Sequence, residues 1–153
     1  MRERIIIPEG IYGITGDNFA HGKSNLECVK AMIEGGIKII QYRDKTKSIK
    51  EKVKEAREIR ELCKENGVIF IVNDHVDIAI LVDADGVHIG QDDMDPSDVR
   101  KLIGDNKIIG LSTHSEEQIC LEKPQTPVPG LNLKMLLHLL LQGFQRQFLR
   151  RCV

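Results

Sequence analysis

Three side chains spaced two residues apart, Gln41, Arg43 and Lys45, follow an apolar run over residues 37–40 that is broken only by Lys38. A run of this kind that stops at polar residues reads as a buried parallel strand. Such a strand delivers its functional groups at its C-terminal edge, where βα folds place their chemistry. In extended geometry the three side chains point to one side. One amide and two cations converging there suit a multiply anionic ligand, most naturally a phosphate or pyrophosphate. The competing reading is a strand that ends in a solvated, charged turn.

Two carboxylates extend the argument. Asp74 ends an apolar strand over 68–72 that runs into Asn73-Asp74, and Asp93 follows the next strand, over 86–90. In a barrel, neighbouring strand ends would bring them together. Two carboxylates with water and substrate phosphate oxygens form the usual environment of Mg²⁺. Alternatively, Asp74 caps a helix starting near Val76, and Asp93 belongs to a solvated acidic turn with Asp92 and Asp95. Spacing alone favours the second reading, and the phosphate-seeking set on the adjacent strand end shifts the balance towards metal.

The elements that must position these groups alternate along the chain. A first strand over 11–15 ends in Gly16-Asp17, and a helix then opens at Ser24 or Asn25, places Leu26, Val29, Met32 and Ile33 on one face, and stops at Gly35-Gly36. After the Gln41 strand, Ser48 can cap a long helix. Its apolar stripe is Ile49, Val53, Ala56, Ile59, Leu62 and Cys63, its charged residues form a solvated face, and it ends at Asn66-Gly67. A short helix over 76–82 leads to the fourth strand. Asp95 and Pro96 then begin a helix with Val99, Leu102 and Ile103 inward, and a fifth strand over 108–111 ends in Ser112-Thr113-His114, before a further helix start at Ser115. A strand followed each time by a helix argues for an α/β fold with a parallel sheet. Five units sharing one polar edge fit an incomplete TIM-type (β/α) barrel, about five of eight units. No strand is followed by G-x-G-x-x-G, which counts against a nucleotide-binding doubly wound sheet.

Composition narrows the class. The chain of 153 residues is short for a closed eight-fold barrel, and its net charge of -1 gives no support for binding nucleic acid or a membrane surface. Cys28, Cys63, Cys120 and Cys152 are scattered, so neither a zinc site nor a disulfide framework is expected, and a reducing cytoplasm is the default. The start of the chain lacks a signal-peptide core, and the Leu-rich run over 136–141 is too short to span a bilayer.

Four motifs in order carry a family resemblance: Gln41-Tyr42-Arg43-Asp44-Lys45, Asn73-Asp74, Gly86-Val87-His88-Ile89-Gly90-Gln91-Asp92-Asp93, and Gly110-Leu111-Ser112-Thr113-His114. Over about residues 8–118 the chain resembles thiamine-phosphate synthase, also called thiamine-phosphate pyrophosphorylase. The resemblance implies a βα barrel that joins hydroxymethylpyrimidine pyrophosphate to thiazole phosphate with release of pyrophosphate. It further implies that Gln41, Arg43, Lys45 and Asn73 hold the pyrimidine pyrophosphate, Asp74 and Asp93 hold Mg²⁺, and Ser112 contacts substrate. Arg43 and Lys45 would serve catalysis by stabilising the departing pyrophosphate. Tyr42 and Asp44 alternate away from that cluster, as packing and supporting residues. His88 is at least as well explained as a hydrogen-bonded core histidine, and His75 and His21 as surface or loop residues. A related thiazole tautomerase, using a His such as His114, and a non-catalytic ligand-binding remnant are the alternatives.

The tail differs. Residues 1–118 carry 17 Lys+Arg against 22 Asp+Glu, whereas 119–153 carry 5 against 1 and are rich in Leu, Gln, Arg and Pro. The family's Gly-Pro loop, its Thr and Lys residues and its later glycine-rich turns are missing. Residues 1–118 are therefore expected to be the front of the barrel and 119–153 a divergent tail from a shifted frame or early stop. Such a chain would be a poor enzyme with an open sheet edge prone to self-association.

Overall fold

A computed structural model describes residues 7–8, 10–16 and 22–112. Its elements follow in strict alternation: β1 (Tyr12–Ile14), α1 (Asn25–Glu34), β2 (Ile39–Tyr42), α2 (Ile49–Glu65), β3 (Ile69–Asn73), α3 (Val76–Leu81), β4 (Gly86–Ile89), α4 (Pro96–Ile103) and β5 (Ile108–Leu111). All five strands are parallel and lie in the order β1-β2-β3-β4-β5. A doubly wound sheet reverses its order at a switch point. The sequential order here is that of a (β/α) barrel whose sheet, within the described residues, is not closed.

Local chemistry sets the boundaries. Ser24 and Ser48 each cap a helix through a reciprocal box with Glu27 and Glu51, and Asp95 caps α4 by accepting the Ser97 N–H ahead of Pro96. Gly36 and Gly67 take up positive φ just past α1 and α2, conformations that an L side chain resists.

The alternation of each strand separates two layers. Outward residues, among them Ile40, Tyr42, Phe70, Val72, Val87, Ile89 and Ile109, pack with Val29, Ala56, Ile59, Cys63, Ile78 and Val99 of the helices. Inward, Ile39, Ile71 and Ile108 form a second cluster with Ile7, Tyr12 and Ile69. The register places Gln41 beside Ile71, Ile71 beside Gly86, and Asn73 beside His88 and thence Gly110. The inner face is therefore apolar towards the strand N-termini and polar towards their C-termini.

Some helix assignments need correction. Ile49 and Leu102, expected on buried faces, are 49% and 54% exposed; Ile49 is the first residue of α2 and Leu102 lies in the last turn of α4. Lys52, expected on the solvated face of α2, is buried, with its Nζ 3.3 Å from His75 Nε2. Its long stem covers apolar surface while the ammonium reaches a polar partner.

Candidate active site at the C-terminal edge of the sheet

Gln41 points inward and is almost completely buried. Its Nε2 donates to Asn73 Oδ1 at 2.8 Å, joining the ends of β2 and β3, and its Oε1 is buried with no hydrogen-bond partner among the described residues. A buried acceptor left open is costly unless something else supplies the donor. Beside it, Thr15 clasps the backbone of Arg43: the Arg43 N–H donates to Thr15 Oγ1 at 2.8 Å, and that hydroxyl donates to Arg43 O at 3.1 Å. This fixes where the half-buried Arg43 leaves the sheet.

The expected strand geometry does not continue to Lys45, since β2 ends at Tyr42. A turn does the work instead. Asp44 Oδ1 accepts the backbone N–H of Thr46 at 3.0 Å and of Lys47 at 2.8 Å, a short polar side chain bonding its own following backbone. Exposed Lys45 emerges from that turn close enough to Asp74 for its charge to favour the Asp74 carboxylate.

Asp74 and Asp93 do come together. Burial pushes the Asp74 carboxyl above its ordinary range, and the neighbouring charge of Asp93 and a hydrogen bond to it push in the same direction, opposed by Lys45 and His75. Asp74 has φ 61, left-handed backbone that Asp tolerates better than most residues, and its N–H is tied to His88 O at 2.8 Å. The side chain is not the cap of α3. That position belongs to His75, which makes no side-chain capping bond. Asp93 is exposed and anchored through Oδ2, which accepts the Gly90 N–H at 2.6 Å.

No group of three or more His, Cys, Asp or Glu side chains that could enclose a metal ion occurs among the described residues. A pair of hard oxygen donors in an open, partly solvated position nevertheless fits a cation such as Mg²⁺, which keeps several waters and takes few protein ligands. The Asp93 charge, which adds to burial in raising the Asp74 pKa, fits as well, because a divalent cation would offset the repulsion between the two carboxylates.

His88 is buried on the inner face, with Nε2 2.8 Å from Ser112 Oγ at the end of β5. Desolvation by burial pushes its pKa down, against the charge of Asp93, so the ring is neutral at pH 7. Its Nδ1 lies over Gly110 and has no hydrogen-bond partner among the described residues. His75 is a loop residue, as expected, and is half-buried with its Nε2 3.3 Å from Lys52 Nζ. His21 and His114 lie outside the described residues, as does the expected change of character after residue 118.

Sequence reasoning missed the groups behind the site. Thr15 carried a weak signal, as the polar residue that ends an apolar run. Asn25 and Glu55 carried none, because their role depends on α1 and α2 meeting over the end of β2. Asn25 Nδ2 donates to both Asp44 Oδ2 and Glu55 Oε2 at 3.1 Å, and Tyr42 Oη donates to Glu55 Oε2 at 2.8 Å. Tyr42 therefore faces the helix side, as its alternation implied, while Asp44 reaches the same side through the turn that follows β2.

Comparison with known proteins agrees with this fold. The family model described as thiamine monophosphate synthase matches residues 11–127. Thiamine-phosphate synthase of Caldicellulosiruptor saccharolyticus is 57% identical over 109 residues, which cover 71% of this chain and 49% of that protein. The enzyme of Pelotomaculum thermopropionicum is 57% identical over 113 residues, 74% of this chain and 52% of that protein. Among solved structures, thiamine phosphate pyrophosphorylase from Pyrococcus furiosus superposes with a TM-score of 0.65 at 36% identity, covering 72% of this chain and 52% of that one. The chain thus spans about half the length of the curated relatives it matches. With the sequential parallel sheet, the polar strand ends and these matches in agreement, the chain belongs to the thiamine monophosphate synthase family.

Proposed function

We propose that this chain carries the pyrimidine-pyrophosphate side of a thiamine-phosphate synthase active site, a Mg²⁺-dependent transferase that joins a hydroxymethylpyrimidine pyrophosphate to a thiazole phosphate. The observation that carries this reading is the meeting of Asp74 and Asp93 at adjacent strand ends, with Lys45 acting on Asp74 and the Gln41–Asn73 pair alongside. A small anion site of this composition suits a metal-chelated pyrophosphate better than a carboxylate or a single phosphate.

The reaction asks little of acid–base chemistry. Pyrophosphate departs, the pyrimidine methylene becomes cationic, and the thiazole nitrogen captures it. The barrier is lowered by stabilising charge on the leaving group and by holding the two reactants in line. Arg43, gripped by Thr15, would offer a planar fork to the pyrophosphate, and Lys45 a second cation. Asp74 and Asp93 would hold Mg²⁺, which supplies charge neutralisation on the leaving oxygens. Gln41 Oε1, buried and open, would accept an N–H from the pyrimidine and orient it. Ser112 would contact substrate at the far side of the site. Neutral His88 would hold the Ser112 hydroxyl without adding charge where the cation forms.

Calorimetric titration tests this with the pyrimidine pyrophosphate and Mg²⁺. Asp93→Ala should abolish the dependence of binding on Mg²⁺. Arg43→Lys should weaken the pyrimidine pyrophosphate more than the thiazole phosphate, since a lysine cannot present the same bidentate donor pair. Binding of the pyrimidine pyrophosphate that is unchanged by chelator in the parent chain would sink the metal assignment. Equal losses for both ligands in Arg43→Lys would mean that Arg43 only supports the fold.

A further inference from the structure

On the helix side of the sheet edge lies a partly buried ionic cluster of Asp44, Lys47 and Glu55 with Asn25 and Tyr42. The Asp44 side chain is fully buried, and its Oδ2 meets Lys47 Nζ at 2.6 Å and Asn25 Nδ2 at 3.1 Å. Lys47 also reaches Glu55 Oε2 at 3.1 Å, and Glu55 in turn takes the Tyr42 hydroxyl. Three elements are joined here: the first turn of α1, the end of β2 and the body of α2. Stability alone is a weak explanation for burying the Asp44 carboxylate beside a partly buried Glu55 that shares its ammonium, because desolvating a charged group costs several kcal/mol, to order of magnitude.

The arrangement has a second consequence. By taking the N–H groups of Thr46 and Lys47 on Oδ1 and the Lys47 ammonium on Oδ2, Asp44 folds the chain back on itself. Lys47 is turned to the helices. Lys45, two residues earlier, is exposed.

We infer that Asp44 is a positioning residue: together with Asn25 it sorts the alternating cations of this loop, withdrawing Lys47 and presenting Lys45, with Arg43, to a metal-bound pyrophosphate. The inference rests on the pyrophosphate reading above and adds to it a device outside the ligand's reach. The hydrogen bonds keep the Asp44 carboxylate charged despite its burial: desolvation would raise its pKa, and the Lys47 and Thr46 donors hold it far below the usual aspartate range.

The test is titration of the full 153-residue chain with inorganic pyrophosphate in the presence of Mg²⁺, well below the melting temperature. Asp44→Ala should bind pyrophosphate about 10- to 100-fold more weakly, the range found when a group that orients a metal or ligand contact is lost. Asp44→Asn keeps an Oδ1 acceptor for both N–H groups but sets an amide NH2 against the Lys47 and Asn25 donors on the other side, so it should recover only part of that loss. A merely structural role would lower the melting temperature of Asp44→Ala and leave the affinity of its folded fraction at the parental value. Parental affinity in Asp44→Ala overturns the inference. Should Asp44→Ala fail to fold, Asn25→Ala decides, since it removes one of the Asp44 donors without changing charge. Severalfold weaker binding supports the positioning role, and parental affinity ends it. If instead Arg43→Met and Lys45→Met bind pyrophosphate as the parent does, or the parent does not bind it, the pyrophosphate reading itself fails and the inference with it.

Discussion

Gly110 offers a direct check on the inner face of the site. A Cβ there would lie 2.5 Å from His88 Nδ1, whereas ordinary contact begins near 3.4 Å, so Gly110→Ala must displace the imidazole by roughly 1 Å. The ring cannot move that far and keep its 2.8 Å contact with Ser112 Oγ. Overpacking costs about 1–3 kcal/mol and a lost hydrogen bond about 1 kcal/mol. Removing glycine's freedom in the unfolded chain returns about 0.4–1 kcal/mol. The net loss is about 2 kcal/mol, or roughly 4–8 °C in melting temperature for a chain of this length. Gly86→Ala should be worse, because its Cβ would run into the backbone oxygen of Ile108 and come within 2.6 Å of Ile108 Cβ, and a paired strand cannot rotate away. Thermal and urea unfolding followed by circular dichroism measure both. A Gly110→Ala protein that melts with the parent, or one less stable than Gly86→Ala, would refute the inner-face geometry or its ranking.

Two further outcomes follow from charged groups. At the other end of the sheet, Arg60 holds Asp85 through paired bonds of 2.9 and 3.1 Å, and Asp85 Oδ2 also accepts the Phe70 N–H at 2.9 Å; Asp85→Ala leaves a mostly buried guanidinium and an amide unpaired and should cost about 3–5 kcal/mol in urea unfolding, whereas a loss under about 1 kcal/mol would place the pair in the solvated class. Asp74 has a folded-state pKa above the ordinary 3.8, so the native chain holds a proton that the unfolded chain has lost in the window from 3.8 up to the raised value. Stability of the metal-free protein should therefore fall as pH rises through that window, and Mg²⁺ affinity should rise over the same range with release of a proton; a Mg²⁺ affinity that is flat with pH from acid to neutral would exclude Asp74 as a ligand.

Much of this arrangement was legible in the sequence because two signals reinforced each other. Strands two to five are apolar runs that stop at polar residues, and caps such as Ser48 and Asp95 with stops such as Gly36 and Gly67 delimit the helices between them. Burial at helix ends was less legible. Ile49 and Leu102 follow the apolar period, yet periodicity cannot say whether a neighbour reaches the first or last turn. Lys52 errs in the opposite direction, since a long aliphatic stem lets a charged residue occupy a buried position when a polar atom lies at its end.

At the site, strand-end position set Asp74 and Asp93 at neighbouring edges, since parallel neighbours in register must share an edge, whereas Asn73, which meets Gln41, entered only through the family resemblance. The route to Lys45 was not readable that way. Period-two spacing placed it beside Arg43 by extending the strand, whereas the chain leaves the sheet at Tyr42 and is turned by the Asp44 carboxylate. Lys45 leaves that turn exposed, and what shapes the turn includes Asn25, 19 residues upstream of Asp44, and Glu55 on α2. An amide and a carboxylate on helices carry no local mark of such a role. What makes them matter is the desolvation of Asp44, which forces every lone pair of that carboxylate to find a donor and so ties the orientation of a loop cation to the packing of two helices.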